Sequence, residues 1–346
     1  MKASRQPFLL WLIALLLAAC TPIAPLDSPA GTVPPTPQPT TAATYDNPIY
    51  PGDFPDPFVL PVGDHYYVYA TNVGATNVPV LRLSQDFAET EWLGDALPRL
   101  PEWAAWHQSL TWAPAVLLRG ERLVLYYTAR YRAAERQCIG RAIADQPAGP
   151  FVDDSTVPFV CQLDLGGSID PSPFVDQDGR AYLLWKNDGN CCGLPVGLWV
   201  QPLRDDGLAL EGEPVQLIRR DQIWEYPLVE APAMVEHEGV YYLFYSGNWW
   251  ESHAYAVGYA VCETVTGPCE KPQKEPLFTF IPEAMGPGGQ EFFRDPAGNL
   301  WMVYHAWTAP NVGYPEGSRS LRIEPVDFVN GAPQIPGPTV DPQPLP

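Results

Sequence analysis

Residues 170–185 read Asp-Pro-Ser-Pro-Phe-Val-Asp-Gln-Asp-Gly-Arg-Ala-Tyr-Leu-Leu-Trp. This stretch combines an acidic residue, a short apolar strand, a polar turn with glycine, and an aromatic strand. The same order of features occurs five times, and the copies begin at Asp56, Trp112, Asp170, Glu230 and Gln290. Aligning the aromatic strands gives spacings of 57, 58, 60 and 60 residues; the aligned positions are Tyr69, Tyr126, Leu184, Phe244 and Tyr304.

A repeat of this length with several strands per unit indicates a ring of small sheets. Each unit alternates apolar and polar residues and places Gly, Asp or Asn between its strands, as antiparallel sheets do. The sequence therefore predicts an all-β fold, a five-bladed β-propeller of four-stranded antiparallel blades. In such a fold the first strand of every blade lines the central channel, so equivalent positions of distant repeats meet there.

Three carboxylates stand at the beginning of repeats. Asp56, Asp170 and Glu230 are expected at equivalent positions, with Trp112 and Gln290 in the other two units. Glycoside hydrolysis needs two acidic groups, one ionised to deprotonate water and one protonated to serve the leaving oxygen. A third carboxylate raises the pKa of the acid through like-charge repulsion.

A structural role for these carboxylates is the competing interpretation, because Asp before Pro often starts a turn or caps a neighbouring backbone group. Any one of the three alone favours that interpretation. Their recurrence in a repeat favours a shared site. Asp53, three residues before Asp56, is the alternative for the first position, but only Asp56 has the Pro-Phe-Val context of the other repeats.

The first 44 residues do not resemble the repeats. Lys2 and Arg5 precede an apolar run over residues 8–19 that ends in Leu17-Ala-Ala-Cys20, the pattern of a bacterial lipoprotein signal peptide whose Cys20 is lipidated. Residues 21–44 are rich in Pro and Thr and predict a linker. The chain is thus divided into a signal peptide (1–20), a linker (21–44) and a propeller domain (45–346). An ordinary signal peptide or an uncleaved anchor helix are the alternatives.

This organisation predicts an extracytoplasmic protein, attached to the cell membrane or surface only by its N-terminal lipid and otherwise a monomer. The formal net charge is −20, without a cluster of Lys and Arg, which argues against nucleic acid as a partner. The charge also disfavours an anionic polymer. The 12 Trp and 17 Tyr residues suit a neutral carbohydrate, although aromatic side chains more often serve the core.

Six cysteines remain besides Cys20, an even number that suits disulfides in an exported chain. Cys138 with Cys161 and Cys262 with Cys269 are locally plausible pairs. The adjacent Cys191 and Cys192 form either a vicinal disulfide or bonds elsewhere, or they stay reduced. Their spacing does not match a metal site, and the sequence shows no zinc site.

An ordered set of segments resembles glycoside hydrolase family 43 across about residues 45–330. The segments are Phe54-Pro-Asp-Pro-Phe-Val, Trp112-Ala-Pro, Ser168-Ile-Asp-Pro-Ser, Val229-Glu-Ala-Pro and Met302-Val-Tyr-His-Ala-Trp. The resemblance implies a five-bladed propeller and an inverting enzyme acting on α-L-arabinofuranosides or β-D-xylosides. It implies that Asp56 is the general base and Glu230 the general acid. Asp170 would orient the acid and adjust its pKa.

The expected activity is release of L-arabinofuranose from arabinan or arabinoxylan oligosaccharides by an exo-acting α-L-arabinofuranosidase. A β-xylosidase and an endo-arabinanase on the same fold are the alternatives within this class. A non-catalytic, sugar-binding surface lipoprotein is the alternative from another class, although binding alone does not need a proton donor beside a base.

Further residues are predicted to contact the sugar on the basis of their place in the repeats and loops. They are Trp112, Asn187, Trp249, His305 and Arg319. Many arabinan-cutting members of the resembled family hold a central cation with a histidine in a Gly-His-Asn type sequence. This chain has Gly286-Pro-Gly-Gly-Gln-Glu291 there, so no metal-ligand set is predicted. No cofactor is required for the expected reaction, and a structural Ca²⁺ or Na⁺ in the propeller centre remains an alternative.

Overall fold

The structure, a computed structural model, describes residues 43–105 and 110–346. The predicted signal peptide, Cys20 and residues 21–42 of the predicted linker lie outside the described residues. Within these two ranges, no helix has the length and apolar character needed to cross a membrane. The helical segments in them are two short 3₁₀ turns, Leu163–Leu165 and Gly189–Cys192.

The described chain forms five antiparallel sheets arranged as the blades of a propeller, which confirms the predicted fold class. The first blade contains β2 (Phe58–Val62), β3 (His65–Tyr69), β4 (Pro79–Ser84) and β5 (Thr90–Asp95). The second contains β6 (Trp112–Arg119), β7 (Arg122–Tyr131) and β8 (Arg136–Ala144). The third contains β9 (Ser168–Val175), β10 (Ala181–Asn187), β11 (Gly197–Pro202) and β12 (Val215–Arg219).

The fourth blade contains β13 (Val229–His237), β14 (Val240–Gly247), β15 (Ala256–Cys262) and β16 (Cys269–Glu270), and the fifth contains β17 (Ala284–Arg294), β18 (Leu300–Thr308) and β19 (Arg319–Pro325). Three short pairing strands complete the chain beyond it: β20 (Asp327–Val329), β21 (Ala332–Gln334) and β22 (Gln343–Pro344). In the second blade the outer strand is reduced to isolated bridges, in which Val152 and Val160 pair with β8.

The ring closes because the N-terminal segment of the domain pairs with the fifth blade and with the C-terminal end of the chain. Tyr50, which precedes the first blade, bridges to Leu321 of β19 and supplies the outer position of the fifth blade. The strand β1 (Thr44–Tyr45) pairs antiparallel with β22, so the two termini of the domain are hydrogen-bonded together. Such closure fixes the relative positions of all five inner strands.

Each neighbouring pair of blades encloses its own apolar cluster. The aromatic side chains of the second strands supply much of each cluster, which explains why this strand is aromatic in every repeat. One buried aromatic from each cluster is Tyr69, Trp185, Tyr245, Tyr304 and Trp301. Burial of each such side chain contributes roughly 1.5–3 kcal/mol, so the blades are held together by contacts that leave the inner strands free to line a site.

Each blade has a residue with positive φ on or just before its inner strand, and in the second to fifth blades this residue lies at a register shift in the pairing with the second strand. The five positions are Asp56, Ala113, Asp170, Ala231 and Gly289, with φ between 42° and 59°. The register shifts in β6, β13 and β17 surround this point. A bulge of this kind re-aims neighbouring side chains, and here it turns them towards the centre of the ring.

Three disulfides are present in the described part of the chain. They join Cys138 to Cys161, Cys191 to Cys192, and Cys262 to Cys269. The two locally plausible pairs are therefore confirmed, and of the alternatives open for the adjacent cysteines the structure has the vicinal bond. Cys191 lies in the wall of the central cavity described next.

Candidate active site

A cavity of about 560 Å³ opens at the ends of the inner strands, and Asp56, Asp170 and Glu230 all line it. The three acids come from the first, third and fourth blades, at sequence separations of 60 residues or more. The predicted meeting of these carboxylates is therefore found in the structure. The cavity size suits a small ligand.

The predicted equivalence of the three positions is wrong by one residue for Glu230. Asp56 and Asp170 are the positive-φ residues of their strands, whereas in β13 this residue is Ala231. Glu230 pairs with Ser246, and Trp112 pairs in the same way with Thr128. Glu230 thus shares its repeat position with Trp112, and the bulge brings side chains from two consecutive positions into one cavity.

The fifth repeat is also displaced by one residue from its predicted alignment. The positive-φ residue is Gly289, not Gln290. The residue two positions later, Glu291, pairs with Val303, whereas the predicted alignment placed Tyr304 at this position of β18. A Cβ atom on Gly289 would stand 2.7 Å from Oδ1 of Asp56 and 2.6 Å from the His305 ring. Glycine is required here because a side chain would occupy the space of Asp56.

Asp56 is held by neutral and cationic groups on the side of the cavity next to the fifth blade. Its Oδ2 accepts a hydrogen bond of 2.5 Å from the Thr71 hydroxyl. Nη1 of Arg319 lies 3.6 Å from Oδ1. The Asp56 side chain retains 24% exposure, so it keeps contact with solvent while both oxygens have a defined orientation.

His305 supports Asp56 from below and does not line the cavity. Its side chain is fully buried, and Nδ1 accepts a hydrogen bond of 3.0 Å from the Asp56 backbone N–H. Burial, together with the nearby Arg319 charge, lowers the pKa of His305 well below its ordinary value, so the ring is neutral. The predicted substrate contact for His305 is therefore corrected, because the ring is sealed beneath the acid it supports.

Glu230 is clamped by two donors from different blades. Nζ of Lys186 lies 2.9 Å from Oε2, and the Tyr255 hydroxyl donates to Oε1 at 2.9 Å. Burial alone would lower the pKa of Lys186, but the carboxylates Glu230, Asp188 and Asp170 together raise it. Lys186 is therefore a buried cation that is fixed beside this carboxylate.

A comparison of the repeats explains why the Lys186 ammonium is free to bond to Glu230. At the matching place in the second strand, the first, second and fourth blades carry the hydroxyl residues Thr71, Thr128 and Ser246. Each accepts a hydrogen bond from the positive-φ N–H of the following blade. Lys186 has no acceptor atom, and the N–H of Ala231 instead donates to Oδ2 of Asp170 at 3.0 Å. The lysine is thereby released to Glu230.

Burial raises the pKa of Asp170 to about 8, and the charge of Glu230 adds to this shift while Lys186 opposes it. Glu291, on the floor of the cavity, has its pKa raised to about 8 mainly by burial. Asp188, whose Oδ1 lies 4.0 Å from Nζ of Lys186, has its pKa raised to about 6 by burial. Asp170 consequently retains a proton at neutral pH.

Aromatic side chains line the cavity around the acids. Trp112 and Trp249, both predicted to contact substrate, are in this lining, together with Trp250 and Tyr314. Arg319 also lines it, and its guanidinium lies 4.9 Å from the Trp250 ring centroid. Its position beside Asp56 gives it a role in orienting that carboxylate as well as a path to a ligand hydroxyl.

Asn187 has a structural role, which corrects its predicted contact with substrate. The side chain is 2% exposed and is absent from the cavity lining. Its amide nitrogen donates to the carbonyls of Leu165 and Pro195, and its oxygen accepts from Gly197 and from the indole of Trp199. Every polar atom of the side chain is used inside the third blade.

Several cavity residues were not predicted from the sequence as site residues, among them Lys186 and Tyr255. A lysine at a position that is Thr, Thr and Ser in other repeats was a visible signal for Lys186. Tyr255 lies just before β15 and carries no repeat signal. Asp53, the alternative to Asp56, also reaches the cavity, but both its oxygens accept from the Tyr314 hydroxyl, at 2.9 and 2.7 Å.

The described residues do not fit a central calcium ion. They contain no group of three or more His, Cys, Asp and Glu side chains arranged to hold a metal. Calcium takes six to eight oxygen ligands, whereas Nδ1 of the neutral His305 ring accepts a hydrogen bond and Nε2 therefore carries the proton, so this histidine offers no ligand atom. No catalytic step is therefore assigned to a metal.

The sequence pattern of Glycosyl hydrolases family 43 matches residues 45–333. A crystal structure of a thermostable family-43 glycoside hydrolase superposes with a TM-score of 0.77 at 31% identity, covering 87% of this chain and 98% of the other. The beta-D-galactofuranosidase xynD of Aspergillus niger is 24% identical over 292 residues, which cover 77% of each chain.

The xylosidase/arabinosidase of Butyrivibrio fibrisolvens is 27% identical over 208 residues, 58% of this chain and 38% of that protein. The present chain therefore spans less than half the length of this relative. Residues 45–333, which match the family pattern, include all five inner strands.

Proposed function

The chain belongs to Glycosyl hydrolases family 43, and from this premise we propose that it is an inverting, exo-acting α-L-arabinofuranosidase. The observation that carries the proposal is the unequal surroundings of the acids in one cavity. Asp56 is partly solvated and accepts a hydrogen bond from Thr71, while Glu230 is buried and the neighbouring Asp170 retains a proton. Inverting hydrolysis requires two carboxyl groups in unlike surroundings, so that one acts as base and the other as acid.

In the proposed reaction Asp56 removes a proton from a water molecule that attacks the anomeric carbon. Thr71 and Arg319 orient the Asp56 carboxylate so that one oxygen is directed to this water. Glu230 gives its proton to the leaving oxygen as the glycosidic bond breaks. Asp170 keeps its own proton and so places no second negative charge beside Glu230, and the ammonium of Lys186 stabilises the charge that Glu230 acquires when it gives up its proton.

The preference for an arabinofuranoside is supported by the character of the relatives. One is named as a galactofuranosidase and another as a xylosidase/arabinosidase. The first name contains a furanoside and the second an arabinoside. The same second name supports a β-xylosidase as the other candidate, since both substrates are neutral pentosides.

Paired assays test the proposal. The protein is incubated with p-nitrophenyl α-L-arabinofuranoside, the matching β-D-xyloside and linear arabino-oligosaccharides, and the first product is observed by NMR. We expect arabinose to appear first as the inverted anomer. Retention of configuration would exclude the assigned roles of Asp56 and Glu230. Binding without turnover of any pentoside would support a sugar-capturing lipoprotein instead.

We also propose that the chain acts outside the cytoplasm as a monomer tethered by a lipid on Cys20. The motif Leu17-Ala-Ala-Cys20 supports the lipid, and three disulfides in the described residues support an oxidising compartment. Metabolic labelling with an alkyne fatty acid should mark the wild type and leave Cys20→Ala unmarked. Equal labelling of both proteins would contradict the anchor.

A further inference from the structure

Two large apolar side chains stand exposed in the segment 220–228, which connects β12 to β13. Ile223 is 96% exposed and Tyr226 is 66% exposed. Single exposed apolar residues are ordinary, but exposed apolar side chains grouped beside a cleft mark a contact surface. The segment ends at the strand that carries Glu230, so its position relative to the active site indicates which kind of ligand it contacts.

This segment is continuous with the active-site cavity. Leu228 lines the cavity, and the Cα of Tyr226 lies at most about 7 Å from that of Leu228, because the chain advances no more than about 3.6 Å per residue. The backbone N–H of Asn248 lies 3.3 Å from the carbonyl oxygens of both Glu225 and Leu228. Trp249, the next residue, is 41% exposed and lines the cavity.

The exposed rings of Tyr226 and Trp249 therefore belong to two segments that are hydrogen-bonded to each other at the mouth of the cavity. A ligand that extends out of the cavity over the fourth blade meets both segments. Sugar rings present apolar C–H faces that pack on aromatic side chains, which combine a large apolar area with few rotatable bonds.

A buried ion pair holds the segment in place. Glu225 is fully buried, and its Oε1 lies 2.7 Å from Nζ of Lys271 and accepts from the Tyr245 hydroxyl at 2.8 Å. Its Oε2 accepts the backbone N–H groups of Asp221 and Gln222, at 2.9 and 3.0 Å. The loop is thus preorganised, which lowers the entropy lost when a ligand binds to it.

The Tyr226 ring is itself restrained. The guanidinium of Arg220 lies 5.2 Å from its centroid, so the ring keeps an orientation while most of its surface stays open to solvent. The disulfide between Cys262 and Cys269 ends two residues before Lys271 and holds β16, which ends at the residue before this lysine. An exposed aromatic ring on a braced loop suits a fixed platform better than a mobile lid.

We propose that Tyr226 forms a distal binding surface for the part of a neutral polysaccharide chain that extends beyond the cavity. This inference rests on the proposed function, because continuity with the cavity identifies the ligand as a saccharide. It assigns polymeric substrate, rather than only short oligosaccharides, to the site. The net charge of −20 agrees with a neutral polymer as the ligand.

The experiment compares polymer with a small substrate. For Tyr226→Ala, the ratio of kcat/KM on debranched arabinan or arabinoxylan to kcat/KM on the p-nitrophenyl glycoside should fall roughly 5- to 10-fold, the loss expected for one stacked ring. Tyr226→Phe keeps the ring and should keep the ratio. Trp92→Ala, which removes a 44%-exposed aromatic from the outer strand of the first blade, is the matched control and should leave the ratio unchanged.

A binding measurement separates this proposal from the proposed function. In affinity electrophoresis through gels containing arabinan or arabinoxylan, the wild type and Tyr226→Phe should be retarded more than Tyr226→Ala, even if every pentoside assay shows no turnover. Equal mobility of the three proteins, or an unchanged kcat/KM ratio in Tyr226→Ala, would overturn the distal surface. So would a concentration-dependent dimer in light scattering that Tyr226→Ala abolishes, since the patch would then serve self-association.

Discussion

The two sides of the cavity treat their carboxylates in opposite ways. On the side of the first and fifth blades, Asp56 keeps 24% of its side-chain surface exposed. It accepts a hydrogen bond from the Thr71 hydroxyl, donates its backbone N–H to the neutral imidazole of His305 and lies 3.6 Å from the Arg319 guanidinium. On the side of the third and fourth blades, Glu230 is buried between Lys186 and Tyr255, and Asp170 has its pKa raised to about 8.

The difference shows that residue type does not assign the chemical roles. Asp56 and Asp170 are both aspartates at the same repeat position with the same backbone conformation, φ of 50° and 55°. Asp56 keeps contact with solvent and lies beside Arg319, whereas burial and the Glu230 charge raise the pKa of Asp170. Removing single groups from each side tests this division.

The largest effect is expected on the open side. Asp56→Ala removes the group that deprotonates water, and kcat should fall about 10²- to 10⁴-fold, the usual contribution of general base catalysis. A small anion such as azide should restore part of the turnover by entering the vacated space. The measurement is kcat on the p-nitrophenyl glycoside with and without azide.

Asp53→Asn is the matched control for that variant, because Asp53 lines the same cavity with its oxygens bonded to Tyr314. Its kcat should change much less than that of Asp56→Ala. A larger loss in Asp53→Asn would reassign the base to Asp53 and would remove the contrast between the two sides.

On the buried side the loss should depend on the leaving group. Glu230→Ala removes the proton donor, so turnover of arabino-oligosaccharides should fall about 10²- to 10⁴-fold. Aryl glycosides with nitrophenol leaving groups need little protonation and should lose far less. Rates are compared across a series of aryl leaving groups of different pKa, and a uniform loss over the series would eliminate Glu230 as the acid.

The propeller could be predicted from the sequence because its signal is repeated. Five copies of a strand, a turn and an aromatic strand fix the blade count, and the aromatic positions are the ones that fill the clusters between blades. The acids were found for the same reason, since a recurring place in a repeat becomes a recurring place in the channel. Resemblance of ordered segments to a known family added their roles.

The bulge could not be predicted, and it explains the errors. The residue with positive φ turns the inner strand so that it and the residue before it both face the cavity. Asp170 and Glu230 therefore meet there although their repeat positions differ by one. Long-range partners were also beyond the sequence. The burial of His305 under Asp56 and the internal bonding of Asn187 depend on neighbours far apart in the chain.

The lysine that distinguishes the buried side gives a smaller effect. Lys186→Met removes the cation that opposes the raised pKa of Asp170, so this pKa should rise further and the alkaline limb of the kcat/KM profile should move from near pH 8 to higher pH. Loss of the charge-assisted bond to Glu230 should reduce kcat roughly 10- to 100-fold.

Lys271→Met is the control for that variant, because Lys271 is another buried lysine paired with carboxylates, Glu225 and Asp221. It should lower stability without moving the alkaline limb. An unmoved limb in Lys186→Met would show that the lysine does not set the proton affinity of the acid pair.

The smallest effect concerns stability and comes from the cavity floor. Burial raises the pKa of Glu291 from 4.5 to about 8 in the folded protein. The folded state therefore binds a proton more tightly than the unfolded state. The stability gained from this is complete below about pH 4.5 and is lost as the pH rises through 8.

Glu291→Gln stays neutral, so it should lose less stability over this range. Between about pH 5 and pH 9, the Tm of the variant should gain about 2–4 °C on the wild type for each kcal/mol involved. Glu211→Gln, at an exposed position, should follow the wild type. Parallel melting profiles for Glu291→Gln and the wild type would mean that Glu291 is ionised in the folded protein, and that the buried side does not extend to the floor of the cavity.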